Sequence, residues 1–126
     1  LGDPAGCDRG KLERLANLCE RYQPAMVSDH LSWSSLADER IPDVLPLPMT
    51  AATLAHVAGE VSRVQDRLAR PILIENPSRM LAFAADDYEE LDFLTKLCCR
   101  TGCGLLVDVN NLLVSAINIG LSPLSW

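Results

Sequence analysis

Pro71-Ile72-Leu73-Ile74-Glu75 is an apolar, β-branched run that stops abruptly on a carboxylate, and Asn76-Pro77-Ser78 follows at once with turn chemistry. A run this short and this apolar reads as a strand with both faces covered. Two other segments repeat the pattern. Ala25-Met26-Val27-Ser28-Asp29-His30 begins apolar and ends polar, and Leu105-Leu106-Val107 leads directly into Asp108-Val109-Asn110-Asn111. Helical periodicity fills the intervals. Lys11 to Tyr22 spaces Leu12, Leu15, Ala16 and Cys19 on one side, with Asp8 as N-cap. Thr50 caps a second helix to about Arg67, whose apolar face is Leu54, Val57, Ala58, Val61, Val64 and Leu68. A third runs from about Asp87 to Arg100 through Leu91, Phe93, Leu94 and Leu97, and Gly102 supplies its left-handed C-cap.

The order helix, strand, helix, strand, helix, strand calls for parallel strands with helices covering them, an α/β fold. No Gly-rich phosphate turn of the G-x-G-x-x-G kind follows any strand, which weakens a dinucleotide-binding open sheet and favours a closed barrel. A complete β/α barrel takes about 250 residues. The 126 residues here are therefore expected to form a single domain over 1–126 that is a fragment of a TIM-type (β/α)8 barrel. It would hold roughly three of the eight units and be truncated at both ends. The start Leu1-Gly2-Asp3-Pro4, with neither initiator Met nor a signal pattern, fits that expectation. Ser32 to Pro48, with Pro42, Pro46 and Pro48, reads as a long irregular connection of a kind that is often functional.

Composition narrows the function. Apolar residues make up 48% and charged residues 22%, the balance of a soluble globular chain. No stretch reaches the roughly 20 apolar residues a membrane span needs. Net charge is −6 and the 11 Lys and Arg are scattered, which argues against nucleic acid as a partner. Five cysteines, an odd number in a chain with ample Leu, Ile and Val, require no disulfide framework and suit a reducing cytoplasm.

Barrel active sites are built at the C-terminal ends of the strands, and here each strand ends in a group able to bind a metal: His30, Glu75, then Asp108 with Asn110. Strand alternation would put Asp108 and Asn110 on one side, as it does Ser28 and His30. Oxygen-rich ligands with a His suit iron, manganese, magnesium or zinc, and Glu75 could bridge two ions. Each acidic group also has a plainer reading, as a cap on the next helix or an anchor for the loop. His56 reads as a partly exposed helix residue, and Cys98, Cys99 and Cys103 as buried small hydrophobes, there being no C-x-x-C pair. Trp33 and Trp126 read as packing or pocket-wall residues, the Gly102-Cys103-Gly104 glycines as turn residues, Asn110 as a ligand and Asn111 as turn geometry.

Val27-Ser28-Asp29-His30-Leu31-Ser32-Trp33-Ser34, Leu45-Pro46-Leu47-Pro48, Ile74-Glu75-Asn76-Pro77-Ser78 and Thr101-Gly102-Cys103-Gly104-Leu105-Leu106-Val107-Asp108-Val109-Asn110-Asn111, in this order, resemble the multinuclear non-haem iron-dependent oxidative enzymes. The resemblance implies a TIM-type barrel holding two or three iron ions, with dioxygen as co-substrate. It implies oxidative modification of cysteines in ribosomally made peptides, as in oxazolone and thioamide formation in methanobactin biosynthesis. A Cys-containing precursor peptide and a peptide-recognition protein would be the partners. His30 resembles the iron-ligating His of the second motif, Glu75 the bridging carboxylate, and Asp108 and Asn110 the D-V-N-N ligands. Asp29 stands where Glu is commoner. Ile119, in Asn118-Ile119-Gly120, stands where the family has His, so any role of that His is absent. The family's remaining ligands lie on strands outside these residues, so the fragment alone is expected to be inactive. Two other readings remain: a divalent-metal barrel of the sugar-isomerase or endonuclease type, and a truncated scaffold without catalysis.

Overall fold

The computed structural model describes residues 1–36, 39–120 and 122–126. In chain order these form α1 (Arg9–Tyr22), β1 (Ser28–His30), β2 (Trp33–Leu36), β3 (Glu39–Leu45), α2 (Ala51–Leu68), β4 (Leu73–Glu75), α3 (Glu90–Thr101), β5 (Gly104–Leu106) and α4 (Val109–Ile119), then a short 3-10 turn, Pro123–Ser125. The helix ends follow their capping chemistry. Asp8 accepts the Lys11 N–H at 2.8 Å to start α1, and Thr50 accepts the Thr53 N–H at 3.1 Å to start α2. Gly102, at φ +69, closes α3 by donating its N–H to the Cys98 carbonyl at 2.8 Å.

β1, β4 and β5 form a parallel sheet in that order, with Ser28, Leu73 and Gly104 in register at one end and His30, Glu75 and Leu106 at the other. The predicted α/β class with parallel strands and intervening helices is thus present. Alternation along β4 divides the sheet into two faces. Ile74 is fully buried in a core with Leu54, Val57 and Val61 of α2 and Phe93, Leu94 and Leu97 of α3. Leu73 and Glu75, pointing the other way, are half-buried. Ser28, His30, Gly104 and Leu106 share that second face by register, and among the described residues none of them is buried. The sheet is packed on one side and open on the other.

Three expectations change. The connection from Ser32 to Pro48, whose Ala37 and Asp38 lie outside the described residues, contains an antiparallel hairpin, β2 with β3, and a register shift between Trp33 and Ser35. What stabilises it is remote in sequence: the Asp3 carboxylate accepts the Ser34 and Ser35 N–H groups at 2.8 and 2.9 Å. Helix α3 begins at Glu90 instead of Asp87. Asp86 and Asp87 are drawn away to accept the Met49 and Ala51 N–H groups at 2.7 and 2.9 Å, which ties this segment to the start of α2. Finally, the third strand stops at Leu106, and the stretch after Asp108 is a fourth helix, so strand alternation does not relate Asp108 to Asn110. No described helix is long and apolar enough to cross a membrane.

Candidate functional site

Parallel pairing of β1 with β4 sets His30 directly beside Glu75 at the C-terminal strand ends. Imidazole Nε2 lies 3.6 Å from carboxylate Oε2, with His30 40% exposed and Glu75 only 15%. That separation is beyond hydrogen-bonding distance. The two side chains present a nitrogen and an oxygen lone-pair donor next to each other on the open face, two donor types that transition metals accept. Among the described residues, neither group has another side-chain partner.

Asp108 sits past the end of β5 and caps α4: one carboxylate oxygen, Oδ1, accepts the Asn111 N–H at 2.8 Å. Its other oxygen has no partner among the described residues. Asn110 occupies the exposed first turn of α4. Of the predicted site residues, the fold therefore brings His30 and Glu75 into contact and sets Asp108 and Asn110 at the next strand end. Among the described residues no group of three or more His, Cys, Asp or Glu gathers closely enough to hold a metal ion.

Local sequence patterning gave no sign of the network joining these strand ends. Asn76, only 1% exposed, receives the Asp108 N–H on Oδ1 at 2.8 Å and donates Nδ2 to the Asp108 carbonyl at 3.0 Å. Asn111 donates Nδ2 to the Asn76 carbonyl at 2.9 Å and accepts the Ser78 hydroxyl at 2.7 Å. The expected turn role of Asn111 is thus replaced by a place in α4 and in this clasp.

A second buried polar group adjoins the loop after β4. Arg79 donates its backbone N–H to Ser115 Oγ at 2.8 Å, accepts Asn118 Nδ2 on its carbonyl at 3.1 Å and pairs with Asp86 at 3.1 Å. Glu90 accepts the Trp126 indole N–H at 3.1 Å on Oε2, while its Oε1 is buried without a partner. Burial pushes the Glu90 carboxyl up, against the opposing pull of the Arg79 charge and the Trp126 hydrogen bond. Ile119 closes α4 and lines a cavity of about 440 Å³ with Arg79, Phe83, Asp86 and Tyr88.

Other candidates settle into structural places. His56 Nε2 lies 2.9 Å from the Asp3 carbonyl. Trp33 donates to the Pro46 carbonyl at 2.9 Å and lines an apolar groove of about 460 Å³ with Leu47, Pro48 and Phe83. All five cysteines are free thiols. Cys103 is buried with its Sγ 3.7 Å from that of half-buried Cys98, whose thiol desolvation pushes up to about 12. Cys99 is exposed, contrary to expectation, because α3 turns Phe93, Leu94 and Leu97 inward and leaves it on the opposite side.

The family described as RiPP precursor modification enzyme MbnB/TglH/ChrH matches residues 1–126. The chain is 48% identical over 122 residues to a UPF0276 protein of Paraburkholderia phytofirmans, covering 97% of this chain and 40% of that relative. It is 47% identical over 126 residues to one of Rhizobium meliloti, covering 100% and 41%. With one of Caulobacter vibrioides it shares 49% over 116 residues, covering 92% and 41%. The chain thus spans about two fifths of the length of these relatives. With the family's match running from Leu1 to Trp126, the chain belongs to the MbnB/TglH/ChrH family of RiPP precursor modification enzymes.

Proposed function

We propose that this chain is part of a (β/α)8-barrel enzyme that oxidatively modifies cysteine residues of ribosomally made peptides, using iron and dioxygen, and that it carries some of that enzyme's metal ligands. The observation that carries the reading is the His30–Glu75 pair, 3.6 Å apart at the ends of adjacent parallel strands. The barrel reading is supported by a strand order that follows chain order without reversal and by the open sheet face, since parallel sheets are normally covered on both sides. That face would line the barrel interior, and His30 and Glu75 would project from its C-terminal rim.

The residues present suit iron. His30 offers imidazole Nε2, Glu75 a carboxylate able to serve one ion or bridge two, Asp108 its partnerless oxygen and Asn110 an amide oxygen. Iron, when bound, supplies one-electron reactivity toward dioxygen and a site for a substrate thiolate. The chain's own contribution is to fix its ligands at neighbouring strand ends and to shield Glu75 from water. The substrate is a Cys-containing precursor peptide, delivered with a peptide-recognition partner protein, and the free cysteines fit a reducing cytoplasm.

Metal analysis of the full-length protein, purified anaerobically, tests this reading. Iron should co-purify and should be lost from Glu75→Gln and His30→Ala. Iron content unchanged by either substitution sinks the proposal, and zinc occupancy with oxygen-independent turnover replaces it with the isomerase or endonuclease reading.

A further inference from the structure

We infer that Cys98 and Cys103 form a site of reversible oxidation, a dithiol that a peroxide converts to a disulfide. The pair lies where α3 turns into β5, at the end of the sheet away from His30 and Glu75, and the inference is independent of the metal reading.

The turn itself builds the pair. Gly102, in the left-handed region at φ +69, reverses the chain, and its N–H bonds the Cys98 carbonyl at 2.8 Å, so the next residue returns against the last turn of α3. Both flanks are then held. Thr101 Oγ1 donates to the Leu97 carbonyl at 2.9 Å and accepts the Cys103 N–H at 3.3 Å, while the Gly104 N–H joins the Ile72 carbonyl at 3.0 Å. Two sulfurs are left 3.7 Å apart. A disulfide bond is about 2.05 Å long, so the remaining gap of about 1.7 Å is within reach of rotation about one Cα–Cβ bond.

The two thiols divide the work. Cys98 is half-buried and open to a small oxidant, whereas Cys103 is 6% exposed and meets Cys98 through its sulfur. The Cys98 thiolate attacks one peroxide oxygen and the O–O bond breaks. Cys98 becomes a sulfenic acid, and the departing hydroxide takes up the proton that the thiol gave up, leaving as water. Cys103 Sγ then attacks the Cys98 sulfur, the S–S bond forms, the S–O bond breaks, and a second water leaves with the Cys103 thiol proton. The sulfurs lose two electrons and the peroxide gains them. A dithiol reductant reverses the change by exchange at the more accessible Cys98. Desolvation, reinforced by Cys103, pushes the Cys98 thiol up to about 12, so its thiolate is scarce at neutral pH and oxidation is slow there.

The test uses the full-length protein carrying Cys99→Ala, which removes the exposed competing thiol. It is treated with hydrogen peroxide in the presence of a chelator, blocked with iodoacetamide in denaturant and digested with trypsin. Cleavage after Arg100 separates the two cysteines, so the disulfide should appear as residues 97–100 joined to the peptide that begins at Thr101, and dithiothreitol should release them. The rate of joining should rise about tenfold per unit between about pH 6 and pH 8, following the thiolate fraction. Cys103→Ser should stop the reaction at the Cys98 sulfenic acid, captured by dimedone, and Cys98→Ala should yield neither joined peptides nor capture at Cys103. Recovery of both thiols fully alkylated after peroxide treatment that oxidises other cysteines overturns the inference. So does either one joined to a different cysteine in preference to its neighbour.

Discussion

Glu90 offers the sharpest test of the energetics. The residue is 2% exposed, and only one carboxylate oxygen has a partner, the Trp126 indole. The upward push of burial exceeds the opposing attraction of Arg79, so the ionised form is disfavoured in the fold. Because the folded-state carboxyl titrates above its unfolded value of about 4.3, the folded chain binds more proton than the unfolded chain in that interval, and stability falls as pH rises through it. Glu90→Gln keeps an acceptor for Trp126 and removes the charge, but leaves an amide N–H2 where Oε1 now lacks a partner. Burying an unpaired group costs about 1–3 kcal/mol, with the larger costs on charged groups, so the exchange should gain about 1 kcal/mol at neutral pH. For a chain of 126 residues that is roughly 4 °C in melting temperature. Thermal unfolding of both forms between about pH 4 and pH 8 reads it directly, with the advantage of the variant vanishing at the acid end. A variant less stable than wild type at neutral pH, or a gap that does not change with pH, would refute the reasoning.

Other consequences are simpler to read. Phe93→Ala, at a fully buried position packed edge-on against Tyr88 with ring centres 6.4 Å apart, should cost about 3–5 kcal/mol in urea unfolding. Gly102→Ala places a Cβ at φ +69, where there is open space around it but backbone strain within it, so the loss should be about 1–2 kcal/mol. Alkylation by iodoacetamide near pH 8, followed by mass spectrometry, should modify exposed Cys99 well before Cys98, whose half-buried thiol is pushed up to about 12.

The elements legible in the sequence are those whose residues face a single partner. Leu54, Val57, Val61 and Val64 face one core, and their spacing announces α2. The helix α4 escaped notice for the converse reason. Its buried residues are Leu112 and Ser115, while Val109, Leu113 and Ile117 are apolar and exposed, so no amphipathic contrast marks it. Asp108 as an N-cap was the available signal, but a cap reading alone does not say that a helix follows, since a loop anchor fits the same residue. The β2–β3 hairpin was equally illegible, because Pro42 argues against a strand and because Asp3, which holds it, comes from a distant part of the chain. Strand-end polarity singled out His30 and Glu75, which the fold sets side by side. Asn76, Ser78 and Asn111 look like turn residues locally, since their partners are 32 to 35 positions away.

Asp108 shows why the structural and chemical readings of such a residue are not rivals. A carboxylate has two oxygens, and capping a helix uses one of them. The cap fixes the side chain at the start of α4, where the exposed backbone N–H groups favour negative charge, and leaves the second oxygen partnerless at the strand end next to Glu75. A carboxylate held this way loses little freedom on taking up a cation, whereas an uncapped one would have to be ordered at that moment. On the proposed metal-binding reading, the plain role prepares the chemical one. The same holds for Asn76, whose extension of the sheet is at once ordinary strand pairing and the means by which two strand ends hold a common register.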